Sequence, residues 1–271
     1  MILKLLQERS VVSVPQLVEM FSVSEATARR DIAAMADGGK LRRVWGGAES
    51  LTPHHETHLA GPPFAMSLGI AAAQKSAIAC AGAALIEDGE SIIINGGTTT
   101  YALVEHLADR QLDILTNSLP IVTQLLASGR NRVTMPGGTL YREQNIVLSP
   151  YENDAIGHFW GHKLFTGCHG LSRFGLMETD PLLVQAGLKL LGRAEQLIVL
   201  ADSRKLRQRS SMVVAGLERI HTFITDTGAT DEELEPLRNA GIRVITVEAR
   251  SGDDAGADSG PMPLRIERRS P

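Results

Sequence analysis

A strand that ends in glycines and threonines is the part of this sequence whose residue types most suggest chemistry. Residues 92–95 (I-I-I-N) read as a buried strand, and Gly96, Gly97, Thr98 and Thr99 follow it before a helical stretch. The first N–H groups of a helix lack internal partners, glycine lets a backbone approach an anion closely, and threonine hydroxyls add donors. The pattern predicts a phosphate cradle, with an ordinary strand-to-helix turn as the alternative for the motif taken alone.

The cradle differs from two common nucleotide-binding loops. No lysine follows the glycines as in G-x-x-x-x-G-K-[ST], and their spacing is not that of G-x-G-x-x-G. A phosphate on some other small molecule is therefore the expected ligand.

Three later strands also end in small or polar turns. These turns contain Asn117 and Ser118, then Gly137 and Gly138, then Asp202 and Lys205. Because ligands of open α/β sheets bind beyond the carboxyl ends of the strands, we expect all four turns to converge on one pocket. Lys205 would contact a phosphate there and Asp202 a sugar hydroxyl.

Aliphatic strands alternating with helical stretches must position these turns. The strands are expected over residues 91–95, 113–116, 132–135, 196–201, 221–225 and 242–247. Strands that are apolar throughout are typical of parallel sheets covered on both faces. We predict an α/β domain over 70–248, with a linker rich in proline and glycine over 51–69 and a disordered tail over 249–271.

Residues 1–50 predict a different, smaller domain made of short helices and a hairpin. Ser24 is placed to cap a third helix whose Ala28, Ile32 and Met35 lie on one face. Residues 41–47 (L-R-R-V-W-G-G) then read as a short hairpin. Three helices followed by a hairpin predict a winged helix-turn-helix.

A second set of candidate site residues lies on this third helix and the hairpin. In a recognition helix the N-terminal residues face base edges and the basic residues face phosphates. The set comprises Ser24, Glu25 and Thr27 for bases, and Arg29, Arg30, Lys40, Arg42 and Arg43 for the DNA backbone. The alternative is a solvated helix with a charged face, although five basic against two acidic residues between 29 and 43 favour DNA.

Composition limits the other possibilities. The 271-residue chain is 43% hydrophobic with a formal net charge of -4 and pI ≈ 6.1, so contact with nucleic acid must come from a local basic patch. Two cysteines without a C-x-x-C pattern, Cys80 and Cys168, fit a reducing cytosol and are expected to be buried. No uninterrupted apolar run is long enough for a membrane span, so we expect a cytoplasmic protein without a membrane partner.

Histidines four residues apart raise the possibility of a metal. They occur at His54 and His58 and again at His158 and His162. Neither pair has the H-E-x-x-H arrangement of a zinc hydrolase, and the first lies in the predicted linker. We expect no metal and no cofactor.

The DNA-binding stretch resembles a known family. Residues 12–32 (V-S-V-P-Q-L-V-E-M-F-S-V-S-E-A-T-A-R-R-D-I) and 39–48 (G-K-L-R-R-V-W-G-G-A) resemble the N-terminal signature of the DeoR family of bacterial transcriptional regulators. The resemblance extends over about residues 1–248. It implies a C-terminal domain with the fold of ribose-phosphate isomerase and coenzyme A transferases that senses phosphorylated sugars at the strand-end turns named above.

Within the family, several tracts look most like the members that repress ascorbate utilisation. They include residues 145–150 (N-I-V-L-S-P) and 161–166 (G-H-K-L-F-T). This resemblance implies L-ascorbate 6-phosphate or a related sugar-acid phosphate as the effector, with His162 as a further ligand contact.

The expected function is that of an oligomeric repressor, a dimer or tetramer, which leaves its operator when a phosphorylated sugar binds. An isomerase-like enzyme is the competing hypothesis. Its general base would be one of three carboxylates, Glu178, Asp180 or Asp202.

Overall fold

The computed structural model describes residues 2–8, 11–44, 46–49, 51, 63–127, 129–249 and 265–266, and the chain forms two compact units, 1–58 and 59–271. Most of the predicted linker, residues 52–62, lies outside the described residues, whereas its end forms a helix. The predicted tail is likewise outside them except for residues 249 and 265–266. The last two form an edge strand.

The N-terminal unit is a winged helix-turn-helix, as predicted. Its elements in chain order are α1 (Ile2–Glu8), β1 (Val11–Ser13), α2 (Val14–Phe21), α3 (Glu25–Asp37), β2 (Arg42–Val44) and β3 (Gly47–Glu49). Strand β3 pairs antiparallel with both β1 and β2. A Cβ at Gly47 would lie 2.1 Å from the Val12 carbonyl oxygen, so only glycine permits this pairing.

Local capping defines the two helices of the motif. Ser13 caps α2 in a capping box with Gln16, and Ser24 caps α3 as predicted, accepting a hydrogen bond from the Thr27 N–H at 3.1 Å. Ala28 and Ile32 on the inner face of α3 are buried in the core of this unit. The outer face of α3 is therefore left to solvent.

The second unit begins with α4 and α5 and continues as an α/β domain. Its elements are α4 (Phe64–Leu68), α5 (Ala72–Ala83), β4 (Ser91–Ile94), α6 (Thr98–Leu103), β5 (Asp113–Thr116), α7 (Leu119–Ala127), β6 (Arg132–Thr134), β7 (Thr139–Tyr141), β8 (Ile146–Leu148), α8 (Ala155–His158), β9 (Gly161–Thr166), β10 (Gly170–Ser172), β11 (Gly175–Glu178), α9 (Pro181–Leu191), β12 (Ala194–Leu200), β13 (Met212–Ala215), β14 (Ile220–Asp226), α10 (Asp231–Asn239), β15 (Arg243–Val247) and β16 (Arg265–Ile266).

Within the described residues, the main sheet has the order β16-β15-β14-β12-β9-β4-β5-β6, parallel except for β16. All six predicted strands belong to it, so the predicted fold class is confirmed. Strand β9 at its centre was missed, because G-H-K-L-F-T begins with polar residues and lacks an aliphatic run. Residues Ile92 and Ile94 pack into the core on one face of the sheet and Ile93 into the core on the other.

Two sequence expectations about the surface can be compared with the structure. Cys168 packs against the core, whereas Cys80 is exposed, so the expectation of burial is wrong for Cys80. In the described part of the chain, no helix has both the length and the apolar character required to cross a bilayer.

Candidate functional site

The turn after β4 is held by hydrogen bonds from neighbouring strand ends. Asn95 Nδ2 donates to Thr166 Oγ1 of β9 at 3.0 Å, and the Gly96 N–H donates to Asn117 Oδ1 at 2.9 Å. Thr100 Oγ1 donates back to the Asn95 carbonyl at 2.8 Å. These bonds fix the first turn of α6 at the carboxyl end of the sheet.

A cavity of about 200 Å³ lies at this end of the sheet. Five of the predicted effector residues line it: Gly96, Gly97, Thr98, Thr99 and Lys205. Glu178, named above only as a candidate general base, also lines it, and the sequence analysis missed other polar residues of its wall, which include Lys75, Asn95, Gln144, Thr166, His169, Arg204 and Gln208. Two of the four predicted turns therefore meet here, as expected for strand ends of a parallel sheet.

The Asn117–Ser118 turn does not line this cavity. Both residues are buried, and the Asn117 carboxamide oxygen accepts the hydrogen bond from the Gly96 N–H. A Cβ at Gly96 would lie 2.3 Å from Ile146 Cγ2, so this glycine is required by packing. In the structure these residues shape the turn, and a contact between them and the effector stays a prediction.

Gly137, Gly138 and His162 are also absent from the cavity wall. A Cβ at Gly138 would lie 2.1 Å from the Leu148 carbonyl oxygen, so glycine serves the close approach to the end of β8. His162 is exposed near the start of β9, about 13 Å along the strand from the carboxyl end that borders the cavity. His162 therefore lies away from the cavity, and a contact between it and the effector stays a prediction.

Asp202 lies beside the cavity and not on its wall. Its carboxylate is buried and forms two hydrogen bonds with the Arg204 guanidinium, at 2.7 and 3.0 Å. Burial alone would raise the pKa of Asp202, but the hydrogen bonds and charge of Arg204 outweigh it and hold this pKa below its usual range. Asp202 therefore holds Arg204 at the cavity and is not itself among the lining residues.

The loop that carries these groups has a fixed shape. Asp226 accepts hydrogen bonds from the Ser203 N–H at 2.8 Å and the Ser203 hydroxyl at 2.9 Å. Leu206 is buried in the core, and Arg207 forms an ion pair with Glu233 at 2.7 Å. Lys205 is thereby presented to the cavity from a short 3-10 helix.

Lys75 is the least expected residue of the wall. It is only 5% exposed, and its ammonium donates to the Ser67 carbonyl oxygen. Burial lowers the pKa of Lys75 to about 8; Asp202 opposes the shift, while the charges of Arg204 and Lys205 add to it. The sequence signal was a single cation within the alanine-rich stretch of α5.

Positive charge thus dominates one part of the cavity. Lys205 Nζ donates to Gln208 Oε1 at 3.0 Å, a neutral acceptor, as the Ser67 carbonyl is for Lys75. Among the described residues, neither lysine forms an ion pair. An anion would supply the missing countercharge.

Burial also shifts the pKa values of Glu178, His169 and Cys168 on the cavity wall. Burial raises the pKa of Glu178 to about 7, and burial followed by the charge of Lys205 lowers the pKa of His169. Burial raises the pKa of the Cys168 thiol to about 12, so it is not a nucleophile at neutral pH. Among the residues that the structure describes, no cluster of histidine, cysteine and carboxylate groups could hold a metal.

The predicted DNA-binding residues lie on exposed parts of the first unit, with Thr27 partly buried. Ser24 Oγ contacts Thr27 Oγ1 at 2.8 Å, so both hydroxyls are engaged in the cap of α3. Arg29 pairs with Glu25 on the same helix, and Arg42 pairs with Glu49 across the hairpin at 2.9 Å. In the described part of the unit, no ion pair involves Arg30, Lys40 or Arg43.

A DNA-reading unit joined to a small-molecule sensor defines the class of transcriptional regulators. Family models match both parts: a DeoR-like helix-turn-helix domain over residues 1–54 and the DeoR C terminal sensor domain over residues 70–227. The chain belongs to the DeoR family of transcriptional regulators.

Curated relatives agree with this assignment. The chain is 33% identical over 246 residues to the HTH-type transcriptional regulator UlaR of Shigella dysenteriae, across 91% of this chain and 96% of that protein. The same identity and coverage hold for UlaR of Escherichia coli O1:K1. The predicted likeness to the ascorbate utilisation repressor is confirmed.

Solved structures are similar only in part. Ribose 5-phosphate isomerase A from Methanocaldococcus jannaschii matches with 14% identity and a TM-score of 0.36, over 48% of this chain and 52% of the isomerase. Translation initiation factor eIF-2B from Pyrococcus horikoshii matches with 18% identity and a TM-score of 0.34, over 49% and 47%. The matched region spans about half of these proteins, and the likeness carries no functional argument.

Replacing Lys75 should stabilise the ligand-free protein. We expect Lys75→Met to raise the free energy of unfolding by roughly 2 kcal/mol at pH 7, because it removes a poorly compensated buried charge. Between pH 8 and 10.5 the unfolded state binds more protons at this site, so the wild type gains stability and the difference shrinks. Urea unfolding at pH 7 and 9.5 measures both effects, with Gln74→Met on the same helix as control. A destabilised Lys75→Met protein would contradict the electrostatic account.

Proposed function

We propose that the chain is a repressor of a sugar or sugar-acid catabolic operon. It binds operator DNA through α3 and the β2–β3 wing and is released when a phosphorylated sugar occupies the cavity of the sensor domain. It acts in the cytoplasm as a homo-oligomer, a dimer or tetramer, because paired half-sites multiply the affinity of one small reading unit.

The convergence of cations carries this proposal. Lys75, Arg204 and Lys205 share the cavity, and the Asp202 carboxylate hydrogen-bonds to Arg204. A phosphate accepts charge-assisted hydrogen bonds from ammonium and guanidinium groups alike. A neutral sugar would leave the two lysines without a countercharge, which favours a phosphorylated ligand.

The hydroxyl-bearing part of the ligand would lie against neutral polar groups. Asn95, Thr98, Gln144 and Thr166 line the cavity beside apolar residues such as Leu164. Polar groups placed beside apolar ones are typical of sites that orient one small molecule. The similarity to UlaR makes L-ascorbate 6-phosphate the first candidate.

Contact with DNA would combine contacts to the DNA backbone with contacts to the bases. Arg30, Lys40 and Arg43 are exposed and suited to phosphate contacts, while Arg29 and Arg42 would first exchange an intramolecular partner. Glu25 at the start of α3 is placed to meet base edges, whereas Ser24 and Thr27 also serve the helix cap. The effector can release the protein from DNA only if its affinity differs between the DNA-bound and DNA-free states of the protein.

One observation favours an enzyme as the second candidate. Asp180 caps α9 through the Leu182 N–H and accepts from Tyr141, and Asp202 is paired with Arg204, so neither is free to act as a base. Glu178 lines the cavity with a pKa of about 7, which suits a general base. Turnover of a sugar phosphate that is lost in Glu178→Gln would support this alternative.

Fluorescence anisotropy on DNA from upstream of the gene and its neighbours tests the proposal. Titrations at stated salt would include a panel of sugar phosphates with L-ascorbate 6-phosphate, and each mixture would be assayed for isomerised product. Release by one phosphorylated compound without turnover is the expected result. Release by unphosphorylated sugars alone would refute the phosphate site.

Removing Arg30 should weaken DNA binding. We expect Arg30→Ala to reduce affinity severalfold for specific and unrelated duplexes and to lower the salt slope by about one, because a phosphate contact releases a counterion. Effector affinity should stay unchanged. Arg130→Ala, an exposed arginine of the sensor domain, is the control. An unchanged salt slope for Arg30→Ala would argue against the assigned recognition face.

Removing Lys205 should blunt the response to effector. We expect Lys205→Met to bind DNA as the wild type does but to need about tenfold or more additional sugar phosphate for release, because one charge-assisted contact is lost. Arg243→Met removes an exposed cation at the opposite end of the sheet and should respond normally. The midpoint of release in anisotropy titrations separates the two variants, and equal midpoints would take Lys205 out of the site.

A further inference from the structure

Helix α4 is fastened to the sensor domain at points next to the cavity. The Phe64 N–H donates to the Glu143 carbonyl at 2.8 Å, and the Phe64 ring meets the Tyr101 ring edge-on with centroids 5.7 Å apart. At the other end of α4, the Ser67 carbonyl accepts the hydrogen bond from Lys75. Ser67 and Ile70 themselves line the cavity.

Lys75 therefore contacts both the cavity and the end of α4. Its side chain is part of the cavity wall, and its ammonium holds the end of α4. An ammonium has three donors, so the bond to Ser67 leaves donors for a ligand. An anion in the cavity would be held by the same group that holds α4.

The contact between Lys75 and the Ser67 carbonyl costs free energy when no anion lies in the cavity. Lys75 is buried against a neutral carbonyl, and Arg204 and Lys205 repel its charge, with only Asp202 opposing them. An anion would cancel this repulsion and favour the charged ammonium at its present position. With this repulsion cancelled, the ammonium would be held more firmly at its position beside the Ser67 carbonyl.

We propose that Lys75 binds the anionic group of the effector and transmits its presence to α4, so that an occupied cavity fixes α4 more firmly. Along the chain, α4 follows residues 52–62, which join it to the DNA-binding unit. By ordering α4, a ligand in the cavity would thus act on the segment that leads to the DNA-binding unit. The identity of the anion as a sugar phosphate rests on the proposed function.

Hydrogen exchange of the full-length protein with inorganic phosphate tests this role without a sugar or DNA. In the wild type, millimolar phosphate should slow amide exchange in residues 63–71. Lys75→Met should bind phosphate at least about tenfold more weakly, the loss expected for one charge-assisted hydrogen bond, and should lose this protection. Lys75→Gln, which removes the charge but keeps a donor, should also lose phosphate affinity. Gln74→Met should behave as the wild type.

The outcomes separate this inference from the proposed function. Three results would each overturn the role of Lys75: the wild type and Lys75→Met binding phosphate with equal affinity, the wild type failing to bind phosphate, or amide exchange in residues 63–71 staying unchanged when phosphate binds. If phosphate protects residues 63–71 only when Lys75 is present, the inferred role of Lys75 is supported. If in the same protein no sugar phosphate alters DNA binding, the repressor mechanism is refuted.

Discussion

Burial of both faces of the parallel sheet is the constraint on which the sensor domain depends. Ile93 points into one core and Ile92 and Ile94 into the other, and β12 alternates in the same way. Inner strands of this kind have no free face on which polar groups could be placed. Polar chemistry is therefore confined to the turns at the strand ends, and the cavity lies where the ends of β4, β9 and β12 come together.

Electrostatics then decides what this end of the sheet can bind. Asp202 and Arg204 satisfy each other, whereas Lys75 and Lys205 donate to neutral oxygens. Packing that keeps an ammonium partly desolvated costs stability in the ligand-free protein, and an anion returns that free energy on binding. A regulator requires a ligand with different affinities for two states, and the proposed anion would act through this difference.

The two units of the chain have separate cores. In the first, Ala28 and Ile32 of α3 pack with residues of α1, α2 and β1, and their burial leaves Arg29 and Arg30 outside. Because this core is complete within the unit, the reading surface does not depend on the sensor sheet for its shape. The chain that leads from the first unit enters the sensor domain at α4, its first described element on that side.

The sequence by itself determined the winged helix-turn-helix, because capping residues and a 3.6-residue apolar period are local signals. It also determined most strands of the sheet and the turn from Gly96 to Thr99, since aliphatic runs and glycines carry their own structural meaning. Only the tertiary structure decided which polar residues meet. Strand β9 was missed because it lacks an aliphatic run, the Asn117 carboxamide accepts from the Gly96 N–H, and His162 lies at the end of its strand away from the cavity. Lys75 joins Lys205 from a helix about 130 residues earlier in the chain, because proximity in a folded sheet is set by strand order and not by spacing along the chain. Arg204 is adjacent to Lys205 in sequence, and only its pairing with Asp202 was not visible there.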